Sequence, residues 1–329
     1  MKSRLFLIVP LLSAAFYTTA QAADDYTVPR TEYGQPDLQG VWNFSSDIPL
    51  ERPAQFADKE FLTAEDILKF KARSEAQLQA LNKFGVGGYN TFWVESAGDG
   101  KNLRTSLITY PTNGKLPAIK EGVYRGGGGL GPDTPGERPV RFVVGGIAKD
   151  GPEDRGLSER CIQGFNAGPP FMPSLYNNNV QIFQNRDTVV LMTEMIHDAR
   201  IIPLDGRDHI DEDIRQWSGD SRGYWDGDTL VVETINFTDL TQSFASAGSS
   251  HGLFLTERFT RVDEYTVNYQ FTIDDPVTFT DKIEVLVPMA KVDGQLYEYA
   301  CHEGNYGMLN ILRGARREEQ DAAATAGAQ

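Results

Sequence analysis

The chain has 329 residues, 46 of them acidic and 31 basic, which gives a formal net charge of −15. So acidic a surface argues against nucleic acid and anionic membranes as partners, because both would repel it. With four histidines and two cysteines, the strongest metal-ligating and redox-active side chains are few enough to follow one by one.

The first 22 residues read as an export signal. Lys2 and Arg4 form a basic start, residues 5–17 a short apolar core, and Ala20-Gln21-Ala22 a small-residue cleavage pattern. The mature chain is expected to start near Ala23, in the periplasm or outside the cell. No later run reaches the roughly 20 apolar residues that a membrane-spanning helix needs, so no membrane insertion is expected. In an oxidising compartment the simplest reading of Cys161 and Cys301 is one disulfide, with a pair of buried free thiols as the alternative.

Residues 23–57 read as an extended, proline-punctuated arm. Gly40-Val41-Trp42 is placed to open a first strand and is similar to the Gly-x-Trp start of lipocalins. Ile67, Leu68, Phe70, Leu78 and Leu81 recur at helical spacing and predict a helix over 63–84. Thr63 and Asp66 would cap it, and Gly85, Gly87 and Gly88 would end it. Short strands are expected at 105–110 and 140–144. The glycine run at 125–132 lacks the flanking strand, the helix and the Lys-Ser/Thr pair of a phosphate loop, so it reads as a surface loop.

From residue 180 onward the pattern alternates with period two. Strands are expected at 180–184, 188–196, 229–235, 253–261, 265–274, 278–287 and 295–302. Tyr265, Val267, Tyr269, Phe271 and Ile273 make one apolar face of a half-buried antiparallel strand. Asp226-Gly227 and Asp293-Gly294 are tight hairpin signals. Successive strands without intervening helices predict a mainly β fold: an antiparallel lipocalin-like barrel or curved sheet with an N-terminal arm and one α-helix. The expected organisation is arm and helix over 23–103, a barrel-like domain over 104–317, and a disordered tail over 318–329.

Reactive side chains concentrate in 194–228, which holds two of the four histidines. Read as one continuous strand, 188–200 puts Glu194, Asp198 and Arg200 on one side and His197 on the other. Glu257 shares a face with Leu253, Leu255 and Phe259, and Glu233 with Val231 and Ile235. A carboxylate on an apolar face must be paired, hydrogen-bonded or protonated, and a polar barrel lumen would gather such groups around a ligand. His197 and Glu257 are therefore the acid/base candidates, with Asp198, Arg200 and His302 as further catalytic candidates. Arg222, Trp217, Trp225, Tyr224, His209 and Glu194 are candidates for holding a substrate. Arginines suit a carboxylate or a developing oxyanion, and aromatic rings suit a flat molecule. The plain alternative pairs the carboxylates with arginines such as Arg258 or Arg261.

His197, Asp198, His209 and His302 carry donor atoms suited to zinc, but neither His-Glu-x-x-His nor His-x-His spacing occurs, so no metal ligand is assigned. Asp208, Asp211, Glu212 and Asp213 lack the glycine-centred loop of a calcium hand. Residues 248–252 spell Gly-Ser-Ser-His-Gly, formally a nucleophile elbow around Ser250. A loop precedes this stretch and a strand follows it, where the elbow needs a strand and then a helix.

GQPDLQGVW (34–42), RTSLITYPTNGKLP (104–117), YNNNVQIFQ (176–184), EMIHDARIIPLDGRDH (194–209), WSGDSRGYWDGDTLVVET (217–234), ERFTRVD (257–263) and YEYACHEGNYGM (297–308) resemble a widespread group of secreted bacterial β-rich proteins. The resemblance runs over nearly the whole mature chain and implies a single exported β-rich unit. It carries no activity, catalytic residue or cofactor with it.

The expected function is an exported, cofactor-independent acid–base enzyme, a lyase or isomerase acting on a small aromatic or plant-derived molecule. The first alternative is a non-catalytic periplasmic protein that binds a small ligand, and the second is a metal-dependent hydrolase. An apolar cavity without a His–carboxylate pair in hydrogen-bond reach would favour the binding protein.

Overall fold

The computed structural model describes residues 26–57, 59–81, 95, 103–123 and 149–327. The expected signal sequence, the glycine stop of the first helix, the 140–144 strand and the 125–132 glycine loop lie outside the described residues.

Among the described residues ten strands make one antiparallel sheet: β1 (Gly40–Asn43), β2 (Ile108–Tyr110), β3 (Asn179–Gln184), β4 (Thr188–Thr193), β5 (Ala199–Pro203), β6 (Asp220–Asp226), β7 (Thr229–Ile235), β8 (Phe254–Arg261), β9 (Thr266–Asp274) and β10 (Ile283–Val292). Their hydrogen-bonded order is β5-β4-β3-β1-β10-β9-β8-β7-β6, with β2 also pairing to β10. No ladder joins β5 to β6 among the described residues, so of the two expected forms the sheet is the curved one and not a closed barrel. The end strands nevertheless abut. A Cβ on Gly223 of β6 would stand 2.8 Å from Ile202 of β5 and 2.7 Å from Leu204 just beyond it, so the approach needs glycine there.

The inner face follows the alternation expected from the sequence. Val267, Tyr269, Phe271 and Ile273 of β9 are fully buried, as are Ile283, Val285, Val287 and Met289 of β10. Each such side chain contributes roughly 1.5–3 kcal/mol by leaving water. Trp42 of β1 is buried too, and its indole N–H donates to the Leu38 carbonyl at 2.8 Å. The largely irregular segment 149–178 supplies a further wall. Its Phe171 stacks on Phe44 with centroids 5.3 Å apart and meets Tyr269 at 5.4 Å.

Two α-helices lie outside the sheet among the described residues. Helix α1 (Ala64–Leu81) starts at the expected cap: the Asp66 N–H donates to Thr63 Oγ1 at 3.2 Å, and the Thr63 N–H donates to Asp66 Oδ2 at 3.0 Å. Thr63 and Lys59 together hold the Asp66 carboxyl down at about 2. Helix α2 (Tyr306–Gly327) is capped by Asn305, whose Oδ1 accepts the Met308 N–H at 3.2 Å.

Several expectations need correction. The disordered tail over 318–329 is instead the second half of α2, described as far as Gly327. Its Arg, Glu, Gln and Ala residues are strong helix formers, and Arg317 pairs with Asp321 one turn later. No strand forms at 295–302, so Asp293-Gly294 ends β10 without opening a hairpin. The strand expected at 278–287 starts only at Ile283. Residues before it are held in a turn, with the Phe279 N–H on the Asp275 carbonyl at 2.9 Å.

The most consequential correction concerns 188–200, which is a hairpin and not one strand. The chain breaks after Thr193 into a 3-10 turn, Met195–His197, where Ile196 and His197 adopt φ of 63° and 43°. Strand β5 then returns along β4 and places Arg200 opposite Leu191. That reversal undoes the parity of a continuous strand. Arg200 now shares the buried face with Leu191, and His197 is thrown outward.

Candidate functional site

Glu257 lies on the inner face of β8 and Tyr269 on that of β9; both are fully buried. Arg200 reaches them from β5 and grips the Glu257 carboxylate with both terminal nitrogens, Nη2 to Oε1 at 3.0 Å and Nη1 to Oε2. The Tyr269 hydroxyl donates to Oε1 at 2.7 Å and accepts the Phe171 N–H at 3.1 Å. The Arg200 guanidinium also lies over the Phe171 ring, 5.6 Å from its centroid. Burial works against the arginine's charge, but Glu257 outweighs it and holds Arg200 above its ordinary pKa. Burial, followed by the charge of Glu257, pushes the Tyr269 phenol well above its ordinary range, so it remains a donor.

This cluster is satisfied, which limits its chemistry. A general base needs a lone pair aimed at a substrate proton, whereas Glu257 spends its oxygens on two arginine nitrogens and a phenol. The adjoining cleft, lined by Thr193, Asp198, Arg200, Ser218 and the 167–171 turn, encloses about 10 Å³. That is roughly the space of one water molecule.

The other sequence candidates fall elsewhere. Asp198 lines that cleft and accepts the Ser218 hydroxyl at 3.4 Å. His197 and His302 are both exposed, so His197 does not form the pair with Glu257 that the acid–base reading requires. His209 instead meets a carboxylate that the sequence reading passed over, with Nδ1 2.8 Å from Asp220 Oδ2. Arg222 donates to the other oxygen of Asp220 at 2.7 Å and to the carbonyls of Asp208 and Ser221. Tyr224 is exposed, and its hydroxyl donates to Glu233 at 3.4 Å. Trp217 is half-buried beneath the Arg160 guanidinium. Trp225 packs against the core.

Glu194 belongs to an asparagine cluster. Asn179 donates to it at 2.8 Å, and Asn43 bridges Asn179 and Glu95 at 2.9 and 3.0 Å. Burial raises the Glu194 carboxyl, the Asn179 hydrogen bond pulls it back, and the charge of Glu95 raises it further. Ser250 is not an activated nucleophile: its hydroxyl donates to the Thr238 carbonyl at 2.8 Å, and strand β8, not a helix, follows. Cys161 and Cys301 form the expected disulfide, with Cα atoms 5.8 Å apart. Among the described residues no three His, Cys, Asp or Glu side chains gather as a metal-binding group.

A cavity with apolar walls and a neutral polar lining lies between the 165–174 turn and the loop joining β7 to β8. It has a volume of about 250 Å³, with Phe165, Pro170, Met172 and Phe244 forming its apolar walls. Asn166, Ser174, Gln242, Ser243 and Ser246 supply its polar lining, and no ionisable side chain lines it among the described residues. The loop is tightly made. Ala245 and Ser246 adopt φ of 49° and 64°, and the Ala247 N–H closes onto the Phe244 carbonyl at 2.9 Å. A Cβ on Gly248 would fall 2.1 Å from the Thr278 hydroxyl, so glycine is required there.

The polar lining is unfinished. Both amide atoms of Gln242, the Ser243 hydroxyl and Asn166 Oδ1 find no hydrogen-bond partner among the described residues, although all three residues are at most 3% exposed. A buried polar group left unpaired costs about 1–3 kcal/mol. Sequence reasoning missed these residues because neutral side chains leave neither a charge nor a spacing signature. The one available hint was Gln242, a large polar residue inside a Ser/Ala/Gly-rich loop. The chain matches no protein-family model, and no curated protein sequence is significantly similar to it.

Proposed function

We propose that the protein is an exported, non-catalytic binder of a small, largely apolar molecule, held in the cavity between Phe165, Met172 and Phe244. The single observation that carries this reading is the lining: apolar walls, neutral hydrogen-bonding groups, and no titratable side chain among the described residues. Such a surface can hold and orient a ligand but offers nothing to move a proton. The basic and apolar start of the chain and the Cys161–Cys301 disulfide support export. Indole, titrated into labelled protein and followed by NMR, is expected to give saturable shifts at the Phe165, Met172 and Phe244 amides. Met172→Trp, which fills the space, should abolish them with circular dichroism unchanged. Shifts that are absent, or that survive Met172→Trp, would overturn the reading.

The expected acid–base enzyme stands as the second reading, transferred from His197 and Glu257 to His209. The 2.8 Å contact with Asp220 favours it, because a carboxylate on Nδ1 fixes the ring and leaves Nε2 to act on a substrate. On this reading His209→Asn would abolish turnover of any substrate found, and retained turnover would end it.

A further inference from the structure

We infer that the cavity recognises an uncharged, planar ligand with an amide edge, a ring N–H beside a ring C=O, of the lactam or pyridone class. This rests on the binding reading above and adds the chemistry of the ligand's polar side.

The charge follows from the walls. An ion placed between Phe165, Phe244 and Met172 would lose its hydration, and no opposite charge lines the cavity among the described residues to replace it. The shape follows from the same residues, since two rings, a proline and a thioether favour a flat apolar body. At about 250 Å³ the space lies just below the roughly 300–1,000 Å³ of drug-sized sites, which suits one or two fused rings.

The hydrogen-bond pattern follows from what is left unpaired. Gln242 keeps one donor, Nε2, and one acceptor, Oε1, both buried and both without a partner among the described residues. The complement of a side-chain amide is another amide edge, whose N–H donates to Oε1 while its C=O accepts from Nε2. Both atoms are buried in the ligand-free structure, so engaging a ligand requires the Gln242 side chain to turn toward the cavity it lines. Asn166 fixes the polarity of a second contact. Its Nδ2 donates to the carbonyls of Tyr176 and Asn177 and to the Ser174 hydroxyl at 2.9–3.2 Å, so the atom left over must be the acceptor Oδ1. Ser243 Oγ can donate or accept and completes the polar rim. A hydrocarbon of the same outline would leave all of these groups unpaired.

The test uses 2-quinolone, N-methyl-2-quinolone, which lacks the donor, and naphthalene, titrated into the full mature chain by calorimetry or NMR. The expected result is that 2-quinolone binds roughly tenfold or more tighter than either analogue, the scale of one or two buried hydrogen bonds. Gln242→Leu should erase that preference, bringing 2-quinolone and its N-methyl analogue to equal affinity. Should that variant fail to fold, the wild-type preference between 2-quinolone and its N-methyl analogue decides alone. Equal binding of all three would overturn the amide-edge assignment and leave the binding reading standing. Failure of all three to bind would overturn both.

Discussion

Around Arg200, Glu257 and Tyr269 every strong polar group has found its partner inside the fold, whereas around Gln242 the polar atoms are buried and still open. Both clusters draw on the β7–β9 half of the sheet and the 149–178 wall. The first holds formal charges that would be expected to do chemistry, yet those charges hold β5 against β8. The second holds no charge, yet it faces a space large enough for a ligand. On the binding reading, hydrogen-bonding capacity left over after folding is a better guide than charge to where a ligand would sit.

That contrast predicts opposite responses to removing one polar group. Glu257→Ala leaves the Arg200 guanidinium buried without its counter-ion, and denaturant unfolding should show a loss of about 3–5 kcal/mol. Replacing both members with apolar residues, Arg200→Met with Glu257→Leu, should recover most of that loss. A Glu257→Ala variant as stable as the wild type would mean that the carboxylate is not locked into the fold. Gln242→Leu removes a polar group that the ligand-free protein leaves unpaired, so unfolding should show unchanged or higher stability, by up to about 1 kcal/mol. A clear destabilisation there would mean that Gln242 already has a structural partner and would merge the two regions.

The smallest effect concerns Glu194, which lies between these extremes. Its folded-state carboxyl titrates above the unfolded value of 4.5, because burial outweighs the Asn179 hydrogen bond. The folded state therefore holds that proton more tightly. The stability it contributes is present below pH 4.5 and is lost as pH rises through the folded-state value. Glu194→Gln should flatten this part of the stability–pH profile and be neutral or slightly stabilising at pH 7. An unchanged slope across the acid range would show that Glu194 titrates like an exposed carboxyl.

Much of this was legible in the sequence where a pattern repeats along one element. The alternation from Val267 to Ile273 placed β9, and Thr63 with Asp66 placed the start of α1. The alternation around Leu253, Leu255 and Phe259 marks Glu257 as a carboxylate on an apolar face, and it is one, fully buried. What could not be read depends on where the chain reverses. The positive φ of Ile196 and His197 gives no period-two signal, so a continuous strand puts Arg200 and His197 on the wrong faces. Asp220 could not be joined to His209 without knowing how the intervening loop turns back on β6. Gln242 and Asn166 lie 76 positions apart in the sequence and are neutral, so only the folded chain places them on one cavity.

The most direct test follows the side-chain resonances of both regions while 2-quinolone is titrated into the protein. If the open cluster is the binding site, the Gln242 carboxamide N–H signals shift and saturate with the ligand, and the Arg200 guanidinium signals stay where they are. Shifts at Arg200 with Gln242 unmoved would place the ligand at the charged cluster and contradict the assignment of function to the neutral one.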